Sequence, residues 1–145
     1  MGGSARWKLL LDTPIWLWGR REPHRLGPHT LRELRDSANE IWISPISTWE
    51  ALLFHSQGRI SLKADLSEWL AESTEATREA PFTHEIALAA LHLPMHRDPA
   101  DRFLAATARV LDLPLVTADE RLLGLGNIKI ETLANRWPSQ AAARS

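Results

Sequence analysis

The 145-residue sequence contains no cysteine. Disulfide frameworks, thiol nucleophiles and cysteine-ligated zinc or iron–sulfur sites are therefore excluded. It also lacks an excess of either charge: 17 Lys and Arg stand against 18 Asp and Glu, a formal net charge of −1. Such a balance argues against a protein that holds nucleic acid by bulk positive charge. No apolar run approaches the ~20 residues of a membrane span, and no signal-peptide-like stretch precedes the first charged residues. The expected address is the cytoplasm, with no membrane partner. Tyrosine is absent while tryptophan occurs seven times. Trp7, Trp16, Trp18, Trp42, Trp49, Trp69 and Trp137 are scattered, as core and interface fillers would be.

What remains is an ordinary globular balance, 44% hydrophobic and 24% charged. The length suits one domain, 1–145, with a core over about 7–137 and flexible ends. Trp7–Leu11 reads as a strand that stops at Asp12-Thr13-Pro14, with Thr13 as N-cap of a helix over 14–19. A polar loop over 20–28 and a helix over 30–38 follow. Ile41–Ile43 is a second strand, after which Ser47-Thr48-Trp49-Glu50 matches a capping box. Trp49, Leu52, Leu53 and Ser56 share one face of that helix, and Gly58 ends it. Helices are expected over 65–74 and 83–91, with a brief strand at 80–82. Asp98-Pro99-Ala100-Asp101 opens another helix that runs to about Leu113, with Phe103, Thr107, Val110 and Leu111 along one side. Leu115-Val116 is a strand leading into a second capping-box pattern at Thr117-Ala118-Asp119-Glu120. Ile128–Ile130 is a last strand, and the tail from Pro138 reads as disordered. Short strands alternating with helices argue for an α/β fold with a parallel sheet.

Four acids share one local setting. Asp12 ends a strand before a helix, Glu50 and Asp101 lie in first helical turns, and Asp119 follows a strand at a helix start. In an open parallel sheet such positions gather on one edge, where ligands bind. Carboxylates so gathered repel, by about 4 kcal/mol for a pair at ~4 Å with an effective dielectric near 20. They need raised pKa values or a bound cation. Oxygen ligands without cysteine suit a hard ion, Mg²⁺ or Mn²⁺, and the matching reaction is metal-assisted attack of water on a phosphodiester. Each acid taken alone is also explained as a helix cap. Asp12 is the exception, since an ionised group at the end of a buried strand is costly without a partner.

The residues Leu9-Leu10-Leu11-Asp12-Thr13-Pro14-Ile15-Trp16-Leu17-Trp18 resemble the opening of PIN-domain nucleases, in particular the VapC toxins of bacterial toxin–antitoxin pairs. Ile43-Ser44-Pro45-Ile46-Ser47-Thr48-Trp49-Glu50 resembles their second motif, Arg97-Asp98-Pro99-Ala100-Asp101-Arg102-Phe103-Leu104-Ala105-Ala106-Thr107-Ala108 their third, and Leu115-Val116-Thr117-Ala118-Asp119 their fourth. The resemblance runs in the family's order from about residue 8 to residue 130. It implies a three-layer α/β/α fold with a central parallel sheet and an endoribonuclease dependent on Mg²⁺ or Mn²⁺. Carried over, Asp12, Glu50, Asp101 and Asp119 form the catalytic pocket, with Asp12, Asp101 and Asp119 on the metal. Thr13, Asp98 and Thr117 are implied as accessory residues. One or two ions would activate a water and leave a 5′-phosphate. An RNA substrate, a VapB-like antitoxin and a homodimer are the implied partners. Many relatives carry His after the Asp-Thr pair, where this chain has Pro14. The alternative is a PIN fold that binds RNA or protein without cutting.

Other signals are weaker. Arg20, Arg21 and Arg25 could follow an RNA backbone, or belong to a solvated loop. Trp16 and Trp18 could stack bases or fill the core. Arg102 could pair with a carboxylate. His92 and His96 have i,i+4 spacing, but Pro94 breaks the helix they would need. A haloacid-dehalogenase-type phosphatase would need an Asp where Pro14 stands, and a response-regulator receiver would need paired acids and a strand-end Lys that are absent.

Overall fold

The structure, a computed structural model, describes residues 7–94, 98–123 and 132–135. Five parallel strands form its sheet: β1 (Lys8–Leu11), β2 (Glu40–Ile43), β3 (Thr77–Glu79), β4 (Leu115–Thr117) and β5 (Thr132–Ala134), in the order β3-β2-β1-β4-β5. The helices are α1 (Thr13–Arg21), α2 (Pro28–Arg35), α3 (Pro45–Ser56), α4 (Leu66–Ser73), α5 (His84–Leu91), α6 (Pro99–Leu111) and α7 (Glu120–Leu123), with a 3₁₀ turn at Pro23–Arg25.

Strand β1 explains the three layers. Leu9, Leu10 and Leu11 are all buried, as in a strand covered on both faces. Because side chains alternate, Leu9 and Leu11 join Ile15, Trp16, Ala51 and Trp69 on one side, while Leu10 joins Ile86, Ala90, Leu104 and Leu122 on the other. Val116 and Leu115 split in the same way. Each fully buried leucine contributes about 1.5–3 kcal/mol.

The chain builds outward from β1 to β2 and β3, then returns to the opposite flank of β1 for β4 and β5. The boundary between β1 and β4 is thus the topological switch point, the place at which open α/β sheets bind their ligands.

Several local expectations are corrected. Asp12, not Thr13, caps α1: its Oδ1 accepts the Ile15 N–H at 2.9 Å. Ser44, not Ser47, caps α3, because Pro45 takes the first helical position and suits it. Ser47 is therefore inside the helix, and Glu50 falls in the second turn. The buried face of α3 carries the small residues Ser47 and Ala51, leaving Trp49 58% exposed. Asp119, not Thr117, caps α7, since its side chain accepts the Arg121 N–H at 2.8 Å. Part of the expected loop over 20–28 is helical, α2 spans Pro28–Arg35, and β3 lies just before the expected 80–82. Helix α6 buries Ala100, Leu104, Ala105, Ala106 and Ala108 besides Thr107, a broader face than expected. The expected Ile128–Ile130 strand, both chain ends and His96 lie outside the described residues.

Candidate functional site

Asp12 follows β1 directly and is only 3% exposed, at the switch point. Its two oxygens have separate tasks. Oδ1 caps α1, and Oδ2 accepts the Thr117 hydroxyl at the end of β4. The same Thr117 oxygen accepts the Asp119 N–H at 3.0 Å, so one hydroxyl ties Asp12 to the turn that presents Asp119. Burial outweighs these donors and pushes the Asp12 carboxyl up to about 6, with Asp119 and Glu50 adding repulsion.

Thr13, fully buried in α1, donates to Glu50 Oε1. Its oxygen also lies 2.9 Å from Ser47 Oγ. A hydroxyl has one proton, so with that proton on Glu50 the Ser47 hydroxyl is the donor to Thr13. This chain fixes Glu50 from α3 against α1. Burial raises the Glu50 carboxyl; the Thr13 bond opposes that, Asp98 raises it further, and Arg59 lowers it.

Asp98 caps α6, its Oδ1 accepting the Ala100 N–H at 3.0 Å and the Asp101 N–H at 3.4 Å. Asp101 is pushed up to about 7, first by burial, then by Asp98, Asp119, Glu50 and Asp12 in turn. Together with the Thr117 bridge from Asp12 to Asp119 and the reach of Arg121 from Asp119 to Asp101, these repulsions put acids from the β1–α1 junction, α3, α6 and the β4–α7 turn near one another.

One residue that the motifs did not single out also belongs there. Arg121, in the first turn of α7, lies on Asp119 with Nε at 3.3 Å and a terminal nitrogen at 3.1 Å. Its position two residues after Asp119 was the available signal. Arg102, by contrast, donates to the carbonyls of Ala90 and Leu91 at 2.7 and 3.0 Å, joining α6 to the end of α5.

The donor set fits a hard divalent cation: hard oxygens only, clustered, partly desolvated and mutually repelling. Yet among the described residues no group of three or more acids or histidines is arranged to hold a metal as it stands. Asp119 is engaged by Arg121, and Asp12 and Glu50 by hydroxyls.

The candidate RNA contacts lie elsewhere. Arg20 and Arg21 are in the last turn of α1, about 12 Å along the helix from Asp12. Arg21 donates to the Ser61 carbonyl at 2.6 Å, and Arg25 covers the Trp18 ring at 4.1 Å. Trp16 is core: it is 3% exposed and its indole N–H reaches the Ser73 carbonyl at 3.3 Å. No helix among the described residues is long and apolar enough to cross a membrane.

Comparison with known proteins agrees with this architecture. The model of the PIN domain family matches residues 9–127. Ribonuclease VapC22 of Mycobacterium tuberculosis is 34% identical over 116 residues, covering 79% of this chain and 88% of that one. Among solved structures, VapBC2 from Rickettsia felis bound to a DNA fragment from its promoter superposes with a TM-score of 0.64 at 18% identity, over 88% of this chain and 98% of that one. DNA-bound VapBC from Salmonella typhimurium gives 0.63 at 16% identity, over 89% and 98%. At such identities these structures support the fold.

Proposed function

Since the chain belongs to the PIN domain family, we propose that it is the toxin of a toxin–antitoxin pair, an endoribonuclease that hydrolyses RNA phosphodiester bonds with the help of a divalent cation, Mg²⁺ or Mn²⁺. One observation carries this reading: Thr117 ties Asp12 to the Asp119 turn and Arg121 reaches both Asp119 and Asp101, so acids from separate elements meet beside the β1–β4 boundary, where burial and neighbouring carboxylates raise Asp101 to about 7. A purely structural set of helix caps has no reason to share one pocket against such repulsion.

Asp12, Asp101 and Asp119 are the residues that would hold the cation, with Glu50 adding negative charge beside them. A cation bound there would supply activation of water and neutralise charge on the phosphate. The chain's own part is orientation. Thr117 keeps Asp12 Oδ2 directed at β4, and Thr13 with Ser47 keeps Glu50 from swinging into solvent. Asp98 fixes the first turn of α6 and thereby the backbone of Asp101.

A VapB-like antitoxin is the proposed partner, in keeping with the VapBC complexes that share the fold, and the cytoplasm is the proposed location. The in vivo test is induced expression of the chain. Growth arrest is expected, relieved by Asp12→Asn or by co-expression of the cognate antitoxin. Arrest of equal strength from Asp12→Asn contradicts the reading.

A further inference from the structure

Arg121 sits on the very carboxylates that the proposed reading assigns to the cation. Its guanidinium forks onto both Asp119 oxygens, at 3.3 Å to Oδ1 and 3.1 Å to Oδ2. The same terminal nitrogen is 4.0 Å from Asp101 Oδ2. Asp119 and Asp101 come from different elements, the β4–α7 turn and α6, and the Arg121 guanidinium reaches both. The side chain nonetheless remains 63% exposed, whereas its partners are 27% and 17% exposed. A charge held at the mouth of a pocket by two more buried partners can leave without breaking the core.

Fork geometry matters here. A guanidinium matches a carboxylate through two parallel N–H donors and is never deprotonated, so it cannot relieve crowding by losing its charge. A divalent cation taking Asp119 and Asp101 would meet that fixed positive charge on the same oxygens. Repulsion between the two cations therefore disfavours their sharing both carboxylates.

We propose that Arg121, lying on Asp119 and reaching Asp101, is an internal counter-ion that competes with the divalent cation for these carboxylates and thereby sets the metal affinity of the site. The guanidinium offsets negative charge on Asp119 and Asp101 and would swing outward as a cation takes them. This places the residue that tunes metal loading on α7 itself, two positions from a ligand. The side chain so displaced stays at the rim of the pocket, so metal loading changes the charge that an incoming phosphate meets.

The proposal rests on Asp119 being a metal ligand, and the test separates the two. Mg²⁺ and Mn²⁺ are titrated by calorimetry and tryptophan fluorescence into the intact chain, Arg121→Gln, Arg121→Lys and Asp119→Asn, each first shown to be folded by circular dichroism. Arg121→Gln is expected to bind the ions about 3–10-fold more tightly, since a competing cation is gone. Arg121→Lys, which keeps the charge but loses the fork, is expected to fall between. Observed by NMR, the Arg121 Nε–H resonance should shift toward its solvent-exposed position as metal is added. Unchanged or weaker binding in Arg121→Gln, or an Nε–H resonance that does not respond, overturns the counter-ion assignment. If Asp119→Asn binds metal as well as the intact chain does, the ligand reading itself fails and the counter-ion proposal with it.

Discussion

Thr117 donates its hydroxyl proton to Asp12 Oδ2 and, through the same oxygen, accepts the Asp119 N–H at 3.0 Å. Two proposed metal ligands, 107 positions apart in sequence, are thus set by one side chain on β4. Thr117→Val keeps the shape of the strand and removes both bonds. Its expected cost is about 1–3 kcal/mol of stability, because a buried carboxylate loses a donor. Cleavage is expected to fall about 10–100-fold, the range usual for groups that orient ligands. Thr117→Ser is expected to recover most of both. Urea unfolding and an RNA cleavage assay check this, and a fully active Thr117→Val contradicts it.

The raised carboxyls predict an unusual pH dependence. Asp12 stands at about 6 and Asp101 at about 7, both above the ordinary value of 3.8, so the folded chain binds protons that the unfolded chain releases. Stability from these groups is therefore lost as pH rises through the interval from about 4 to 7. At about 1.4 kcal/mol per pKa unit, Asp12 alone accounts for up to about 3 kcal/mol; the more exposed Asp101 adds less, because water screens it. The metal-free protein should melt several degrees lower at pH 7.5 than at pH 5. Millimolar Mg²⁺ should raise the melting temperature at pH 7.5 and do little at pH 5. Calorimetric scans at both pH values provide the check, and a metal effect of equal size at both contradicts the account.

Trp16 separates folding from RNA binding. It is buried against Trp69, with ring centroids 5.6 Å apart. Trp16→Ala should cost about 3–5 kcal/mol of stability, as for other buried aromatic truncations. A stable Trp16→Ala variant that loses RNA affinity alone would show that the ring stacks bases after all.

Asp112 offers a gain in stability. It ends α6 in the left-handed conformation, φ 54°, and puts a negative charge at the negative end of the helix dipole. Asn tolerates that backbone and carries no charge. Asp112→Asn should gain about 0.3–1 kcal/mol, a rise in melting temperature of about 1–3 °C, without a change in RNA cleavage. A lower melting temperature contradicts this.

Much of this arrangement was legible in the sequence because it is local. The Leu9–Leu11 run ending at Asp12 signals a strand covered on both faces with an acid at its carboxyl end. Asp98-Pro99 signals a helix start with Asp101 in its first turn, as observed. Glu50 is legible as following β2, but the capping-box match at Ser47–Glu50 puts it one turn too early; Ser44, with Pro45 after it, is the cap. The motifs mark Thr13 and Thr117 only as accessory, yet their actual bonds span 37 and 105 positions, and no local pattern encodes such pairs. The Arg121–Asp101 approach was illegible for the same reason, since it depends on how α7 sits beside α6.

The acids at the β1–β4 edge are proposed to cut RNA with a divalent cation. The most direct test incubates the purified chain and its Asp12→Asn variant with end-labelled RNA, in Mg²⁺ or Mn²⁺ and in EDTA. The account predicts fragments bearing a 5′-phosphate from the intact chain with metal, and none with EDTA or from Asp12→Asn. Cleavage at an equal rate by Asp12→Asn, or in EDTA, would contradict it.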